Sequence, residues 1–186
     1  MISAIVLAAG EAKRFGECKQ LADVNGKPLL QHVLDTLRES NVDEVVVVLG
    51  AHAKEIRKRI AFGDERIVIN PDYADGMSTS IQAGLSAIDS EAAFMVLADQ
   101  PFLRATTYDR LIDEFRSRRA EIVVPTFGGV RGNPVLIANA LFAEAIELRG
   151  DVGFRAIFAN HEVTMVAVDD RGVLIDIDTP DDGERE

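Results

Sequence analysis

The sequence predicts a three-layer α/β fold in which helices cover both faces of a mixed, mostly parallel β-sheet. Short apolar runs alternate with segments whose apolar residues recur at helical spacing along almost the whole chain. The first run, Ile2 to Ala9, is nearly unbroken, as expected of a central parallel strand that is buried on both faces. With 186 residues and no break in composition, the chain is expected to form one domain over 1–186.

Strand and helix signals alternate regularly in the first half of the chain. Pro28 stands where the first turn of a helix tolerates proline, and leucines and valines at helical spacing follow it up to Ser40. Further strands are predicted at Glu44 to Gly50, Arg66 to Asn70 and Ala93 to Ala98. Further helices are predicted at Ala53 to Ile60, from near Ser78, and at about Ala105 to Arg119.

The second half continues the alternation with one irregularity. A glycine-rich turn between the predicted strands Glu121 to Thr126 and Asn133 to Ile137 suggests an antiparallel insertion in the parallel sheet. Helical segments are predicted around Leu141 to Leu148 and Val152 to Ala159, and strands at Glu162 to Val168 and Val173 to Ile177. The last residues, 181–186, are expected to form a mobile acidic tail.

Composition excludes several classes of function. The formal net charge is −11, so most of the surface would repel a nucleic-acid backbone. The single cysteine, Cys18, cannot form an internal disulfide or a cysteine zinc site, and no apolar run approaches the roughly 18 residues that cross a bilayer. We therefore expect a cytoplasmic protein with no membrane or nucleic-acid role. The same cysteine is expected to be a bystander, although a cationic loop could lower its pKa.

The loop after the first strand, LAAGEAKRFGECKQL over 7–21, is small, flexible and cationic. Gly10 allows close backbone approach to a ligand, Arg14 can grip phosphate oxygens as a fork, and Lys19 can act as a point charge. Ala12 and Phe15 stand where a dinucleotide fingerprint needs glycine, and no Gly-Lys-Ser/Thr triplet of a P-loop occurs. The cluster suggests a small polyanion, and the alternative is an ordinary solvated loop.

Carboxylates follow two other predicted strands. Asp99 ends the run before Gln100 and Pro101, and Asp178 follows the predicted strand near the C-terminus, with Asp176 two residues earlier. Two such carboxylates suit one Mg²⁺, which takes a few carboxylates together with phosphate oxygens and water. Each aspartate alone is equally consistent with a helix cap or an Asx turn.

The segment ADGMSTSIQAGL over 74–85 opens a predicted helix with several hydroxyl side chains. Simple N-capping explains this pattern. The functional interpretation is that this segment, with the hydroxyls of Ser78, Thr79 and Ser80, also binds the polar edges of a base or ribose, and that Gly84 leaves room for helix and ligand to approach each other. Of the histidines, His32 is expected to be structural, and only His52 is a candidate for acid–base chemistry.

Taken together, these segments resemble the nucleotidyltransferases of the molybdenum cofactor. The matching elements are LAAG with R-x-G-x-x-K over 7–19, GMSTSIQAGL at 76–85, LADQP at 97–101, RGNPVLI at 131–137, GDVG at 150–153 and DIDTPDD at 176–182. Their order and spacing span almost the whole chain. The Ala8-Ala9-Gly10 form is more similar to the cytidylyl-transferring branch than to the guanylyl-transferring branch.

The resemblance implies a Rossmann-like, GT-A-like nucleotidyltransferase that uses Mg²⁺ to transfer CMP from CTP to the phosphate of a molybdopterin-type cofactor, releasing pyrophosphate. It also implies a transient molybdoenzyme partner. The residues carried over are Arg14, Lys19 and Asp99 for catalysis; Leu7, Ala8, Ala9, Gly10, Arg14, Lys19, Ser80 and Gly84 for the nucleotide; Asp99 and Asp178 for the metal; and Asn133, Pro134, Asp151 and Gly153 for the second substrate.

Alternatives remain open at this stage. A transferase of the same fold would use GTP or act on a sugar or polyol phosphate, and a non-catalytic carrier would bind the molybdenum cofactor without transferring a nucleotide. Ala12 replaces a serine that is common in the family two residues before the loop arginine, which predicts weaker triphosphate binding or a different substrate. The retained Lys19, Asp99 and Asp178 favour an enzyme over a carrier.

Overall fold

The computed structural model describes residues 1–11 and 18–178. Its strands are β1 (Ile2–Ala8), β2 (Asp23–Val24), β3 (Lys27–Pro28), β4 (Glu44–Leu49), β5 (Arg66–Ile69), β6 (Ala92–Leu97), β7 (Ile122–Phe127), β8 (Val130–Arg131), β9 (Val135–Ala138) and β10 (Val163–Ala167). Its α-helices are α1 (Leu29–Arg38), α2 (Ala53–Arg59), α3 (Met77–Leu85), α4 (Ala105–Arg118) and α5 (Phe142–Ile146). Short 3₁₀ helices lie at Lys19–Leu21, Tyr73–Asp75, Asn139–Leu141, Phe154–Asn160 and Arg171–Leu174.

The main sheet has the strand order β10-β7-β9-β6-β1-β4-β5, with β8 paired to β7. β1 pairs in parallel with both β4 and β6, so the strand predicted to be central is central. β9 runs antiparallel to both of its neighbours, β6 and β7, which confirms the predicted antiparallel insertion. The mixed, mostly parallel α/β fold expected from the sequence is therefore confirmed.

Apolar side chains of β1 alternate between the two faces of the sheet. Ala4 and Val6 join a core under α1 and α4, whereas Ile5 joins a second core under α3 and α5. This alternation follows from the two-residue period of a strand, and it produces the layers above and below the sheet. Ends of parallel strands meet at one edge of the sheet, where the polar segments singled out in the sequence come together.

The predicted strand Val173 to Ile177 is wrong. Residues 171–174 form a 3₁₀ helix that Asp170 caps by accepting a hydrogen bond from Gly172 N at 3.0 Å. After it, Ile177 N donates to Asp99 O at 2.9 Å, while Val173 O accepts from Asn133 N at 3.0 Å. Since these bonds reach two different loops, no ladder forms, and the segment crosses the edge of the sheet instead of joining it.

Other predicted elements lie within a few residues of the observed ones. The helical segment predicted from Val152 to Ala159 is a 3₁₀ helix, Phe154–Asn160. None of the helices in the described part of the chain has the length and apolar character needed to cross a bilayer. The predicted acidic tail over 181–186 lies outside the described residues.

Candidate active site

A cavity of about 550 Å³ lies at the carboxyl ends of β1 and β6. In open α/β sheets this edge is the usual place for a ligand. The walls come from the end of β1, the Lys19–Leu21 helix, the start of α3, the end of β6 and one residue of the turn at 150–153. Its lining includes Leu7, Ala9, Gly10, Lys19, Gln20, Tyr73, Asp75, Gly76, Met77, Ser80, Ala98, Asp99 and Asp151.

Lys19 joins the two aspartates that the sequence proposed as metal ligands. Its Nζ donates to Asp99 Oδ2 at 2.8 Å and to Asp178 Oδ1 at 3.0 Å. These residues are 80 and 159 positions apart from Lys19 in the chain, so only the fold brings them together. Because both carboxylate oxygens touch one nitrogen, they lie within about 6 Å of each other.

The charges of this cluster reinforce one another. Burial by itself would lower the pKa of Lys19, but its hydrogen bonds to Asp99 and Asp178 and their negative charges outweigh burial and raise that pKa above its ordinary value. The lysine side chain is 14% exposed, compared with 29% for Asp99 and 59% for Asp178. The lysine is therefore a fixed cation in the wall of the cavity, and Asp178 contacts it from the more exposed side.

The two carboxylate oxygens of Asp99 differ in their hydrogen bonding. Its Oδ1 is buried and has no hydrogen-bond partner in the described part of the chain, whereas its Oδ2 is held by Lys19. An unpaired buried carboxylate oxygen is costly in a folded protein. Such an oxygen, beside the carboxylate of Asp178, suits a hard divalent cation that takes its other ligands from phosphate and water. The described residues contain no group of three or more His, Cys, Asp or Glu side chains placed to hold a metal by themselves.

Asp176 is a third carboxylate, close enough for the charges of Asp99 and Asp178 to act on it. Gln100 Nε2 donates to Asp176 Oδ1 at 2.6 Å. Burial, followed by the negative charge of Asp99, raises the pKa of Asp176, although the Gln100 hydrogen bond acts in the opposite direction. Gln100 is itself buried, and its Oε1 has no partner within the residues that the structure describes. This edge of the sheet therefore concentrates negative charge and unused acceptors around one lysine.

The start of α3 forms the opposite wall. Gly76 has a φ of +112°, and a Cβ at that position would collide with the backbone of Gly150. Ser78 N donates to Gly150 O at 3.1 Å, so the helix start and the turn at 150–153 are locked together. This contact brings Asp151 to the cavity, while Gly153 packs against Met77.

Asn70 holds the hydroxyl side chains of this wall. Its Nδ2 donates to Thr79 Oγ1 at 2.9 Å and to Ser80 Oγ at 3.0 Å, and its Oδ1 accepts from Asp72 N at 2.9 Å. Ser80 faces the cavity, as the sequence interpretation required. The sequence offered no signal for Asn70 beyond its place at the end of a strand.

Six of the proposed site residues are not among the described residues that line the cavity: Ala8, Gly84, Asn133, Pro134, Gly153 and Asp178. Gly84 packs against Ile5 Cγ2 on the sheet, so it makes room for helix packing and not for a ligand. Ala8 is buried, Asn133 N donates to Val173 O of the 3₁₀ helix at 171–174, and Pro134, the next residue in the chain, is buried. Arg14 lies outside the described residues, as do Ala12 and Phe15.

Cys18 and two of the histidines have positions that bear on the sequence interpretations. Burial, followed by the negative charge of Glu55, raises the pKa of Cys18, so the alternative of a cationic loop lowering it is wrong. A ring nitrogen of His32 lies 2.7 Å from Val24 O, which fits the expected structural role. His52 precedes α2 and is not among the described residues that line the cavity.

Comparison with known proteins identifies the relatives of this architecture. A family model described as the MobA-like NTP transferase domain matches residues 4–165. The chain is 26% identical to the molybdenum cofactor cytidylyltransferase of Escherichia coli strain K12, over 97% of this chain and 93% of that protein. It is 32% identical to the nicotine blue oxidoreductase of Paenarthrobacter nicotinovorans, over 96% and 92% of the two chains. A crystal structure of Rv0371c in complex with manganese, from Mycobacterium tuberculosis H37Rv, superimposes with a TM-score of 0.85 at 29% identity and covers 99% of this chain and 96% of that one.

Proposed function

The chain belongs to the MobA-like NTP transferase family, and we propose that it transfers CMP from CTP to the phosphate of a molybdopterin-type cofactor, releasing pyrophosphate. The observation that carries the proposal is the contact of Lys19 with both Asp99 and Asp178, where Lys19 and Asp99 line a cavity at the carboxyl edge of the sheet. A cation and two carboxylates at one point match the needs of a metal-bound triphosphate. The relative named a cytidylyltransferase supports CTP as the donor.

Each wall of the cavity has a task in this proposal. The backbone at Leu7, Ala9 and Gly10 and the Ser80 hydroxyl receive the base and ribose, and Lys19 receives the triphosphate together with Arg14 of the preceding loop. Asn70 already donates to Ser80 Oγ, so the Ser80 hydroxyl can turn its own hydrogen towards an acceptor on the base or ribose. Asp151, from the turn at 150–153, faces the second substrate.

The reaction joins two anions, so charge neutralisation and alignment dominate the barrier. Attack by the acceptor phosphate oxygen on the α-phosphorus forms one P–O bond and breaks the bond to the departing pyrophosphate on the opposite side. The acceptor is already ionised near neutral pH, so no side chain has to remove a proton from it. The task of Lys19 is to hold negative charge that moves towards the leaving group.

Asp99 and Asp178 are the residues that would hold a divalent cation, and the unpaired Oδ1 of Asp99 supports this assignment. When bound, the cation supplies charge neutralisation at the phosphates and orients them for in-line displacement. Mg²⁺ is the cation we propose, and Mn²⁺ is a natural substitute because the solved relative forms a manganese complex.

Relatives with other names define the alternatives. The nicotine blue oxidoreductase relative is the more identical of the two curated proteins compared above, so a redox role is the second candidate. Use of GTP, a sugar or polyol phosphate as the acceptor, or a carrier role that serves a molybdoenzyme would each keep the same fold. The Lys19 and aspartate cluster favours nucleotidyl transfer over a carrier or redox role, because neither needs a metal–triphosphate site.

The test is a nucleotide screen followed by an assay of product. Purified protein is heated with each of CTP, GTP, ATP and UTP in the presence of Mg²⁺, and the midpoint of unfolding, Tm, is recorded. We expect CTP to raise Tm the most, and we expect pyrophosphate release only when CTP, Mg²⁺ and a molybdopterin-type cofactor are present together. A Tm increase with GTP and none with CTP would overturn the base assignment. Nucleotide binding without pyrophosphate release would favour the carrier.

A further inference from the structure

We propose that Gln20 is a positioning residue for the nucleotide, because its side-chain amide fixes the backbone at the end of β1 on which the nucleotide rests. This inference rests on the proposed function, since it concerns the same cavity. Gln20 lines that cavity and is 6% exposed. The sequence interpretation gave Gln20 no role, because one glutamine beside a lysine carries no distinctive pattern.

The Gln20 amide uses both its donors and its acceptor locally. Its Nε2 donates to Ala8 O at 3.1 Å and to Gly10 O at 3.2 Å, and its Oε1 accepts from Cys18 Sγ at 3.3 Å. One side chain thus ties the end of β1 to the helix that begins with Lys19. Methionine has a similar shape but no donor, and glutamate is acceptor-only when ionised, so neither reproduces these bonds.

The carbonyl group of Ala9, between those of Ala8 and Gly10, is also fixed. Ala51 N donates to Ala9 O at 3.2 Å, and Gly50 lies so close to Ala9 O that a Cβ at Gly50 would stand 2.6 Å from it. Three consecutive carbonyl oxygens therefore have fixed directions. In a trans peptide the N–H points away from the preceding C=O, so the N–H groups of Ala9, Gly10 and Glu11 acquire fixed directions as well.

Fixed backbone N–H groups matter at a nucleotide site because they donate to phosphate and base oxygens without having to reorganise. Without the Gln20 amide, the peptide groups after Ala8 and Gly10 lose their anchors, and binding of a nucleotide must then order them. That cost appears as weaker nucleotide binding. A merely structural glutamine would lower stability without this effect.

Gln31 provides a matched control for a structural glutamine. It lies on α1, is 9% exposed and is not among the described residues that line the cavity. Its Oε1 accepts from Ala61 N at 2.8 Å, and its Nε2 donates to Asp35 Oδ1 at 2.9 Å. Both glutamines therefore use buried amides to join distant backbone, but only Gln20 does so at the candidate site.

The experiment compares Gln20→Met with Gln31→Met in the full chain. Calorimetric titration with CTP and Mg²⁺ measures the dissociation constant Kd, and thermal unfolding measures Tm. We expect Gln20→Met to raise Kd about tenfold, as loss of one to two hydrogen bonds predicts, and Gln31→Met to change Kd less than twofold. We expect Tm to fall in both variants. An unchanged Kd in Gln20→Met, or an equal rise in both variants, would overturn the inference.

A second variant covers the case in which Gln20→Met does not fold. Gln20→Asn keeps the amide but is one methylene shorter, so it cannot reach both carbonyl oxygens, and we expect the same rise in Kd. The wild-type titration separates the two proposals. If wild type binds no nucleotide, the proposed function fails and this inference fails with it. If wild type binds CTP and both Gln20 variants bind it with the same Kd as wild type, only this inference fails.

Discussion

Asp99 and Asp170 are carboxylates on neighbouring segments of the same sheet edge, and the structure treats them in opposite ways. Asp170 is 3% exposed and accepts hydrogen bonds from Arg104 N at 3.0 Å, Thr107 Oγ1 at 2.6 Å and Gly172 N at 3.0 Å. Asp99 has a lysine on one oxygen and no partner in the described residues on the other. Asp170 joins α4 to the segment that carries Asp178, whereas Asp99 faces the cavity.

The difference separates two uses of a buried charge. A carboxylate with donors on both oxygens stabilises the fold and holds the segments that supply those donors. A carboxylate with an unused buried oxygen costs stability unless a ligand completes it, and such unsatisfied groups are typical of functional sites. The two aspartates therefore differ in hydrogen-bond satisfaction as well as in exposure, because even the buried oxygen of Asp99 has no partner in the described residues.

The largest expected effect is on turnover in Asp99→Asn. The amide keeps the shape of the side chain but loses the charge that would hold the cation, so we expect turnover to fall about a thousandfold, the size of effect seen when an electrostatic catalytic contact is removed. Pyrophosphate release from CTP, Mg²⁺ and a molybdopterin-type cofactor measures it. Asp35→Asn is the matched control, because Asp35 pairs with Lys27 at 2.7 Å on the surface away from the cavity. A loss below tenfold in Asp99→Asn would remove Asp99 from the proposed metal site.

The next largest effect is on stability in Asp170→Ala. Removal of the carboxylate leaves the buried donors of Thr107 and Gly172 and the partly buried N–H of Arg104 without this partner, so we expect the free energy of unfolding to fall by about 3 kcal/mol. Urea unfolding measures this change. The exposed neighbour Asp169 gives the control, and Asp169→Ala is expected to change stability by less than about 0.5 kcal/mol. Equal losses in the two variants would show that Asp170 is not the junction described above.

The smallest effect is a pH dependence far from the site. Nε2 of His161 lies 2.6 Å from Glu144 Oε2, and its Nδ1 lies 3.3 Å from Glu121 Oε2. The hydrogen bond with Glu144, together with the Glu121 contact, raises the pKa of His161 above 6.5. Folding therefore favours the protonated form of His161. The contribution of this protonation to folding stability is fully present below pH 6.5 and is lost as the pH rises through the raised pKa.

We accordingly expect the Tm difference between wild type and His161→Gln to be greatest at pH 5.5–6.5 and to shrink at higher pH. Thermal unfolding across pH 5.5–9 measures it. The same series in the Glu144→Gln background should show a weaker pH dependence, because the main partner of the imidazolium is gone. A Tm difference that is constant across this range would contradict the assignment. In that case His161 and Glu144 would not form a stabilising ion pair.

Much of the architecture was predictable from the sequence because burial imposes a period on it. The run from Ile2 is apolar on both faces because a central parallel strand is covered on both sides, and β1 occupies that place. The segment from Val173 misled the same reasoning, because an apolar run is equally consistent with a strand and with a crossing that packs on two loops. Asp170 decides between them by starting a 3₁₀ helix.

The sequence by itself determined the α/β class, the central strand and the polar segments at its edge, since local residue patterns encode which faces are buried. Only the tertiary structure decided which of those polar residues meet. It placed Lys19 between Asp99 and Asp178, moved Gly84 into the packing of a helix on the sheet, and made Gln20 the anchor of the backbone after β1. Contacts between residues far apart in the chain depend on strand order and loop paths, and these carry no local periodicity for a sequence to display.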